Sequence, residues 1–496
     1  MDFSFQKEKE IKTDLLVVGC WKEKKLSGLA ARLDPKITPG LGQVLTREGF
    51  EFKAGSAKLI HTNLQEVGAS NLLVFGLGEK SKADAQLIRR LGAAAVRWGN
   101  EVKAKKVSVE FLSLPQKMAT LPFSELVVEG SHWGSYAFDQ YKSEENCSKK
   151  TVERIEVLTQ ETPVLRHGLA VGSLVGEATN FARDLANTPS SDMTPRRMVY
   201  EAKKVARHPQ ITVEILDRKA CEKLGMGAFL AVAKGSVEPP YLIHLVYRPK
   251  GRPRGRIAIV GKGITFDSGG LSIKTAQGME TMKFDMSGSA AMVAVLRSLP
   301  GLQIPLEVHG IAAMTENMPS GGADKPGDIA RTIIGRSIEI LNTDAEGRLT
   351  LADAIPYAIR QKPDFVIDIA TLTGACVVGL GDRCAGIMGN DQKLIGQLVA
   401  SGKLMGEMLW QLPLVEEYKE DLKSQVADVK NVGNRYGGAI TAGLFLEQFV
   451  KPETPWAHID IAGPAWAEKG TDLVPKGGTG FMVPTLLHFL LHLKRS

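Results

Sequence analysis

The octapeptide Asn342-Thr343-Asp344-Ala345-Glu346-Gly347-Arg348-Leu349 sets two acids and a base at alternate positions. An extended backbone sends alternate side chains to the same side, so Asn342, Asp344, Glu346 and Arg348 are expected to project together. Upstream, Ser337-Ile338-Glu339-Ile340-Leu341 reads as a strand. Downstream, Leu351, Ala352, Ile355, Ala358 and Ile359 recur at helical spacing. The charged cluster therefore falls where a strand ends and a helix begins, the usual place for ligands in open α/β sheets. A surface turn could carry the same charges. A second charged stretch, Gly261 to Asp285, weighs against that reading.

Outward from this point, 496 residues provide for two or three domains. A hydrophobic content of 44% and a charged content of 24% match a globular chain. The net charge of +7 arises from 62 basic and 55 acidic residues. On a chain this long it describes a solvated surface rather than a nucleic-acid footprint, because the basic patches Lys22 to Lys25 and Lys103 to Lys106 are short. The cysteines Cys20, Cys147, Cys221, Cys376 and Cys384 are scattered and form no CxxC pair. They point to a reducing compartment, hence a cytoplasmic location, and against a cysteine metal site. The first residues lack an apolar signal core, and no run of about 18 apolar residues occurs. Membrane association is not expected.

Residues 1–160 read as a smaller N-terminal α/β domain. Asp14 to Gly19, Asn71 to Leu77 and Lys106 to Phe111 are its strand candidates, and Ala83 to Trp98 is helical in pattern. Gly76-Leu77-Gly78 reads as a turn. The polar stretch 142–160 reads as a boundary. Residues 161–187 form a connecting helix that Pro189 ends. Residues 188–496 read as a larger α/β domain with a central mixed sheet flanked by helices. Its strand candidates are Ile211 to Leu216, Tyr241 to Tyr247, Arg256 to Val260, Leu306 to Ala312, Phe365 to Ile369 and Ala457 to Ile461. A C-terminal core helix covers Phe481 to Leu493.

The strand Arg256 to Val260 leads into a Gly-rich stretch that lacks both GxxxxGK[ST] and GxGxxG. That loop carries Lys262, Asp267 and Lys274 instead. Met282 and Asp285 follow, with Asp285 opening a tightly packed helix. Asp267, Asp285, Asp344 and Glu346 then lie together at strand ends. Four carboxylates in one place repel one another, so a counter-charge must hold them ionised. Two divalent cations supply it, and oxygen ligands suit hard or borderline metals. No HExxH occurs, and none of the nine histidines sits near another at ligand spacing. His244 and His458 read as hydrogen-bonded core residues. Asp368 and Asp460 stand outside the ligand set.

These stretches resemble the leucine aminopeptidase family, also called cytosol aminopeptidases. Asn342 to Leu349 matches its signature octapeptide. Gly261-Lys262-Gly263, Phe266-Asp267-Ser268-Gly269-Gly270, Met282-Lys283-Phe284-Asp285-Met286 and Glu316-Asn317-Met318-Pro319 match its other blocks. Specific motifs cover about residues 165–496. The first unit matches only in length and layout. Arg336 and Ser287-Gly288-Ser289 depart from the blocks without touching a presumed ligand. The resemblance implies that Lys262, Asp267, Asp285 and Glu346 hold a tighter metal ion, manganese or zinc. Asp267, Asp344 and Glu346 would hold a more exchangeable one. It implies an oxyanion role for Lys274 and a bicarbonate ion at Arg348 that relays a proton. Met282, Thr371, Leu372 and Gly374 would contact the substrate, a peptide with a free N-terminus. It further implies a homohexamer and release of N-terminal leucine and other neutral residues. A different dimetal hydrolase, such as a phosphoesterase, and an added DNA-binding role are the alternatives.

Overall fold

The computed structural model describes residues 1–24, 26–62, 64–112 and 121–493. Lys25, the end of one basic patch, lies outside them. The chain forms two compact units. One comprises Met1–Asn180 with Gly470–Pro475, and the other Phe181–Lys469 with Lys476–Ser496.

The first unit holds six strands: β1 (Asp2–Gln6), β2 (Thr13–Trp21), β3 (Ala57–His61), β4 (Ala69–Gly78), β5 (Lys106–Glu110) and β6 (Arg154–Leu158). Their order across the sheet is β1-β6-β5-β2-β4-β3, and only β3 runs antiparallel to its neighbour. Leu15 to Val18 are fully buried on both faces of β2, as the continuous apolar run foretells. The polar stretch 142–160 is not simply a boundary, because β6 lies inside it between β1 and β5. Ile155 and Val157 face the core there, while Glu156 is paired with Lys106 at 2.9 Å. Arg154 and the neighbouring charges hide this strand in the sequence. Gly76-Leu77-Gly78 is the end of β4 rather than a turn. A side chain at Gly76 would lie 2.4 Å from the carbonyl oxygen of Lys53, so close backbone approach explains the glycine.

The second unit contains β7 (Ile211–Leu216), β8 (Tyr241–Tyr247), β9 (Arg256–Asp267), β10 (Glu307–Asn317), β11 (Asp328–Arg331), β12 (Ser337–Ile340), β13 (Phe365–Ala370), β14 (Cys384–Gly389), β15 (Met408–Gln411), β16 (Val429–Lys430) and β17 (Trp456–Asp460). Eight of them build a mixed sheet in the order β15-β14-β17-β13-β9-β10-β8-β7. Strand β9 runs seven residues past the expected Val260, so Lys262 and Asp267 sit on the strand itself and not in a loop. The misleading glycines serve packing. A Cβ on Gly261 would stand 2.6 Å from the backbone of Gly288 and Ser289, at the start of the helix Ser287–Leu302. A Cβ on Gly288 would lie 2.1 Å from the Ile369 carbonyl oxygen on β13. The helix thus lies directly on the strands. Gly288→Ala is expected to destabilise the protein by about 1–3 kcal/mol through overpacking. Denaturant melts check this, and an unchanged midpoint would contradict the close approach.

Two expectations about the octapeptide are corrected. Strand β12 belongs to a small side sheet, β11-β12-β16, not to the main sheet. The octapeptide is also not extended. Asp344 donates its N–H to Asn342 Oδ1 (2.9 Å), and the helix Glu346–Ile359 begins at the second acid. An Asx turn competes well with strand geometry at Asn.

Candidate active site

Lys262 and Asp267 are five residues apart on one strand, an odd spacing that places them on opposite faces. A β-bulge restores a common side. Thr315 pairs with Ile264 but Asn317 pairs with Asp267, so β9 carries one extra residue here. Asp285 comes from the turn that precedes the helix Ser287–Leu302, two residues before its first turn. Asp344 and Glu346 come from the Asx turn and the opening of the following helix. The structure therefore brings all five sequence-derived ligand candidates together.

Lys262 Nζ lies 2.9 Å from Asp285 Oδ1 and 2.8 Å from Glu346 Oε1, and donates to the Thr371 carbonyl oxygen at 2.8 Å. Lys274 Nζ lies 2.7 Å from Asp267 Oδ2 and 2.5 Å from Asp344 Oδ1. One carboxylate oxygen each from Asp267, Asp344 and Glu346 falls within 4.8 Å of the others. Lys262, Asp267, Asp285 and Glu346 are each at most 3% exposed.

Burial raises the carboxyl pKa of Asp285 well above its ordinary value, and Lys262 only partly counters this. Burial and the neighbouring Asp267 likewise raise Glu346 and Asp344. Burial disfavours the Lys262 ammonium, yet Asp285, Glu346 and Asp267 outweigh it and keep the group charged. Lys274 behaves in the same way, held charged by Asp267, Glu346 and Asp344. Three buried carboxylates and the half-buried Asp344 thus share two ammonium groups, a deficit that added cations would repair. Asp285 Oδ2 is buried without a hydrogen-bond partner among the described residues. An orphaned carboxylate oxygen inside a carboxylate-rich cluster is a fitting donor for a divalent ion.

The supports of this cluster are less visible in the sequence. Asn317 Nδ2 donates to Asp267 Oδ1 (2.8 Å) and to the Thr343 carbonyl oxygen (3.0 Å), tying β10 to the octapeptide. Asn317 sits in the block Glu316 to Pro319, which was the available signal. Asn431 accepts from Leu341 N–H (2.9 Å), donates to the Asn342 carbonyl oxygen (2.7 Å) and receives Arg348 Nη1 on its own carbonyl (2.7 Å). Nothing in the sequence marks Asn431, some 90 residues away. Gly347 leaves room for Lys262, whose Nζ would stand 2.7 Å from a Cβ there.

Arg348 is 7% exposed, and its Nε is buried without a partner among the described residues. Burial lowers its pKa to about 10, with Glu346 and Asp460 opposing. An open donor on a buried guanidinium suits a small anion. Thr371 joins the cluster directly, its hydroxyl donating to Asp285 Oδ1 at 2.7 Å. Asp460 holds the next turn by accepting from Leu372 N–H (3.0 Å) and the Thr373 hydroxyl (2.7 Å). Gly374 opens the exposed end of the helix Gly374–Leu380, and Met282 lies partly buried on the turn that delivers Asp285.

The histidines sit apart from these contacts. His458 Nδ1 lies 2.6 Å from Asp368 Oδ1, an oxygen pair that also takes Trp456 Nε1 at 2.7 Å. The expectation that no two histidines stand at ligand spacing is corrected by His488 and His492, four residues apart on the helix Val483–His492 with rings stacked at 4.3 Å, while His244 and His309, distant in sequence, meet across β8 and β10 at 2.8 Å. Both are satisfied within the core, through Tyr357 and Glu307.

The chain is similar over most of its length to known proteins of one family. The catalytic-domain model of the cytosol aminopeptidase family matches residues 180–487, and its N-terminal-domain model matches residues 17–145. A probable cytosol aminopeptidase of Sulfurihydrogenibium sp. is 41% identical over 499 aligned positions, covering 100% of this chain and 98% of the relative. One from Persephonella marina is 43% identical, covering 95% of each. Among solved structures, a mutant of tomato leucine aminopeptidase is similar with a TM-score of 0.90 at 34% identity, over 99% of this chain and 96% of that one. The bottromycin maturation enzyme BotP in complex with Mn gives 0.85 at 35% identity, over 97% and 99%.

Proposed function

The chain belongs to the cytosol aminopeptidase family and is a metal-dependent aminopeptidase; from that premise we propose how its residues divide the work. Lys262, Asp267, Asp285, Asp344 and Glu346 would hold two divalent cations, manganese or zinc, with Asp267 and Glu346 the most central of the five. The observation that carries this is the convergence of Asp267, Asp344 and Glu346 within 4.8 Å. When bound, such a pair acidifies a water to a nucleophile near neutral pH and anchors the substrate amine.

The chain's own groups do the rest. Lys262 would serve such a cation only as the neutral amine, its proton passed to solvent, and would keep Asp285 and Glu346 beside it. Lys274, 17% exposed in its side chain, is the cation placed to donate to the oxygen that gains charge at the scissile carbonyl. Arg348 holds a small anion, bicarbonate, on its free Nε and positions it to carry a proton. Met282, Thr371, Leu372 and Gly374 receive the N-terminal side chain, with leucine and other neutral residues preferred. An acidic side chain would be desolvated there without a partner. Domains at 1–160 and 188–496 joined by 161–187, a homohexameric assembly and a cytoplasmic setting complete the reading. No helix among the described residues is long and apolar enough to cross a membrane.

Because the free amine is part of recognition, acetylating the N-terminus of a leucyl peptide is expected to abolish cleavage, while Leu- peptides turn over faster than Asp- peptides. Cleavage of the acetylated peptide at a comparable rate would rule out exopeptidase action. Release of phosphate from a monoester in place of leucine would favour the phosphoesterase alternative.

A further inference from the structure

The first unit has an open crevice that the peptidase chemistry does not use. In its sheet, β2 lies between β5 and β4. The chain leaves β2 toward the β4 side and leaves β5 toward β6, so connections diverge between β2 and β5. In open α/β sheets this divergence, at the carboxyl ends of the strands, is where ligands bind. A cavity of about 460 Å³ sits at this place, lined by Gly19 and Trp21 from β2, Glu23, Ser27 and Gly28 after it, Lys80, and Glu110 to Leu112 from the end of β5. Its volume falls in the range of about 300–1,000 Å³ common to small-molecule sites.

The chemistry of the cavity is built around Glu110, which is 6% exposed. Its Oε2 accepts the Gly19 N–H at 3.2 Å and its Oε1 the Leu29 N–H at 2.6 Å. Gly28 is required beside it, since it has φ +57° and its Cβ would lie 2.3 Å from Glu110 Oε1. Burial raises the Glu110 pKa to about 7, with those two amides opposing. In many such folds backbone amides at this point receive a phosphate. Here a carboxylate already occupies them and repels a second anion. Each Glu110 oxygen keeps a lone pair for a donor from the cavity. On the other side, Lys80 is exposed and makes no ion pair among the described residues, while its backbone N–H donates to Glu23 Oε1 at 3.0 Å. Trp21, Phe111 and Leu112 supply the apolar wall.

We propose that this crevice is a second small-molecule site that takes a free α-amino acid with an apolar side chain: its ammonium on Glu110, its carboxylate on Lys80, its side chain against Trp21, Phe111 and Leu112. Such molecules are what an aminopeptidase releases, so the choice of ligand rests on that reading, and the first unit would sense product through this site.

Titration calorimetry of the metal-loaded, full-length protein with L-leucine tests this, alongside Glu110→Gln and Lys80→Ala. Wild type is expected to take two equivalents per chain, one at the catalytic cluster and one here. Glu110→Gln should keep only the first, with leucyl-amide hydrolysis within about twofold of wild type. Lys80→Ala, an exposed position that does not threaten folding, should weaken the second event by at least about tenfold, the loss of about 1.4 kcal/mol. N-acetyl-leucine, which lacks the ammonium, should not fill the second site. A single equivalent in wild type, an unchanged second event in Lys80→Ala, or occupation by 5′-AMP instead of leucine would overturn the proposal. Two-site binding without hydrolysis would leave this site standing and count only against the peptidase reading.

Discussion

Asp267→Asn and Glu346→Gln should each lower hydrolysis of a leucyl peptide by about 10³-fold or more and reduce the metal retained by the purified protein. Both side chains sit at the centre of the cluster. Asp267 Oδ2 faces Lys274, its Oδ1 is held by Asn317, and Glu346 Oε1 faces Lys262. A carboxylate that helps to hold two cations would contribute to both, and charge stabilisation of several kcal/mol at about 1.36 kcal/mol per decade sets the size of the expected loss. Removing metal with a chelator should produce the same loss in wild type, and manganese or zinc should restore it there but not in the variants. Full metal content with normal turnover in either variant would remove the residue from the ligand set. The substitutions are nearly isosteric, so a folding defect is a separate, measurable outcome of a melt.

The second large effect separates the two lysines. Lys262 is 3% exposed and locked between Asp285, Glu346 and the Thr371 carbonyl, whereas Lys274 reaches partly into solvent between Asp267 and Asp344. Lys262→Ala is expected to lose activity by losing metal. Lys274→Ala is expected to keep metal near normal and to lose about 10²- to 10³-fold in kcat, the size found for other oxyanion donors. Metal analysis and steady-state kinetics on both proteins decide the matter. Metal lost from Lys274→Ala but kept by Lys262→Ala would exchange the roles.

The chemistry was largely legible in the residues. Asp267, Asp285, Asp344, Glu346, Lys262 and Lys274 are charged side chains in Gly-rich, otherwise apolar surroundings, and a chain does not bury such groups together without a use for them. The long apolar strands, such as β8 and β2, were legible for the same reason, since burial on both faces leaves an unbroken hydrophobic run. β6 and β3 were not, because edge or paired positions tolerate charge, and Arg154, Glu156 and Lys58 mask the pattern.

What the sequence determined by itself is therefore the inventory: which acids and bases enter the site, and that an α/β scaffold presents them. Tertiary structure decided their geometry. One extra residue in β9, visible only against its partner strand β10, turns Asp267 to the side of Lys262. Gly261, which read as part of a loop, is a strand position where the backbone meets Gly288 and Ser289 of the following helix. Asn431 reaches Arg348 and the octapeptide only because β16 pairs with β12. Parity, close approach and pairing are relations between segments distant in the chain, and local propensity holds no record of them.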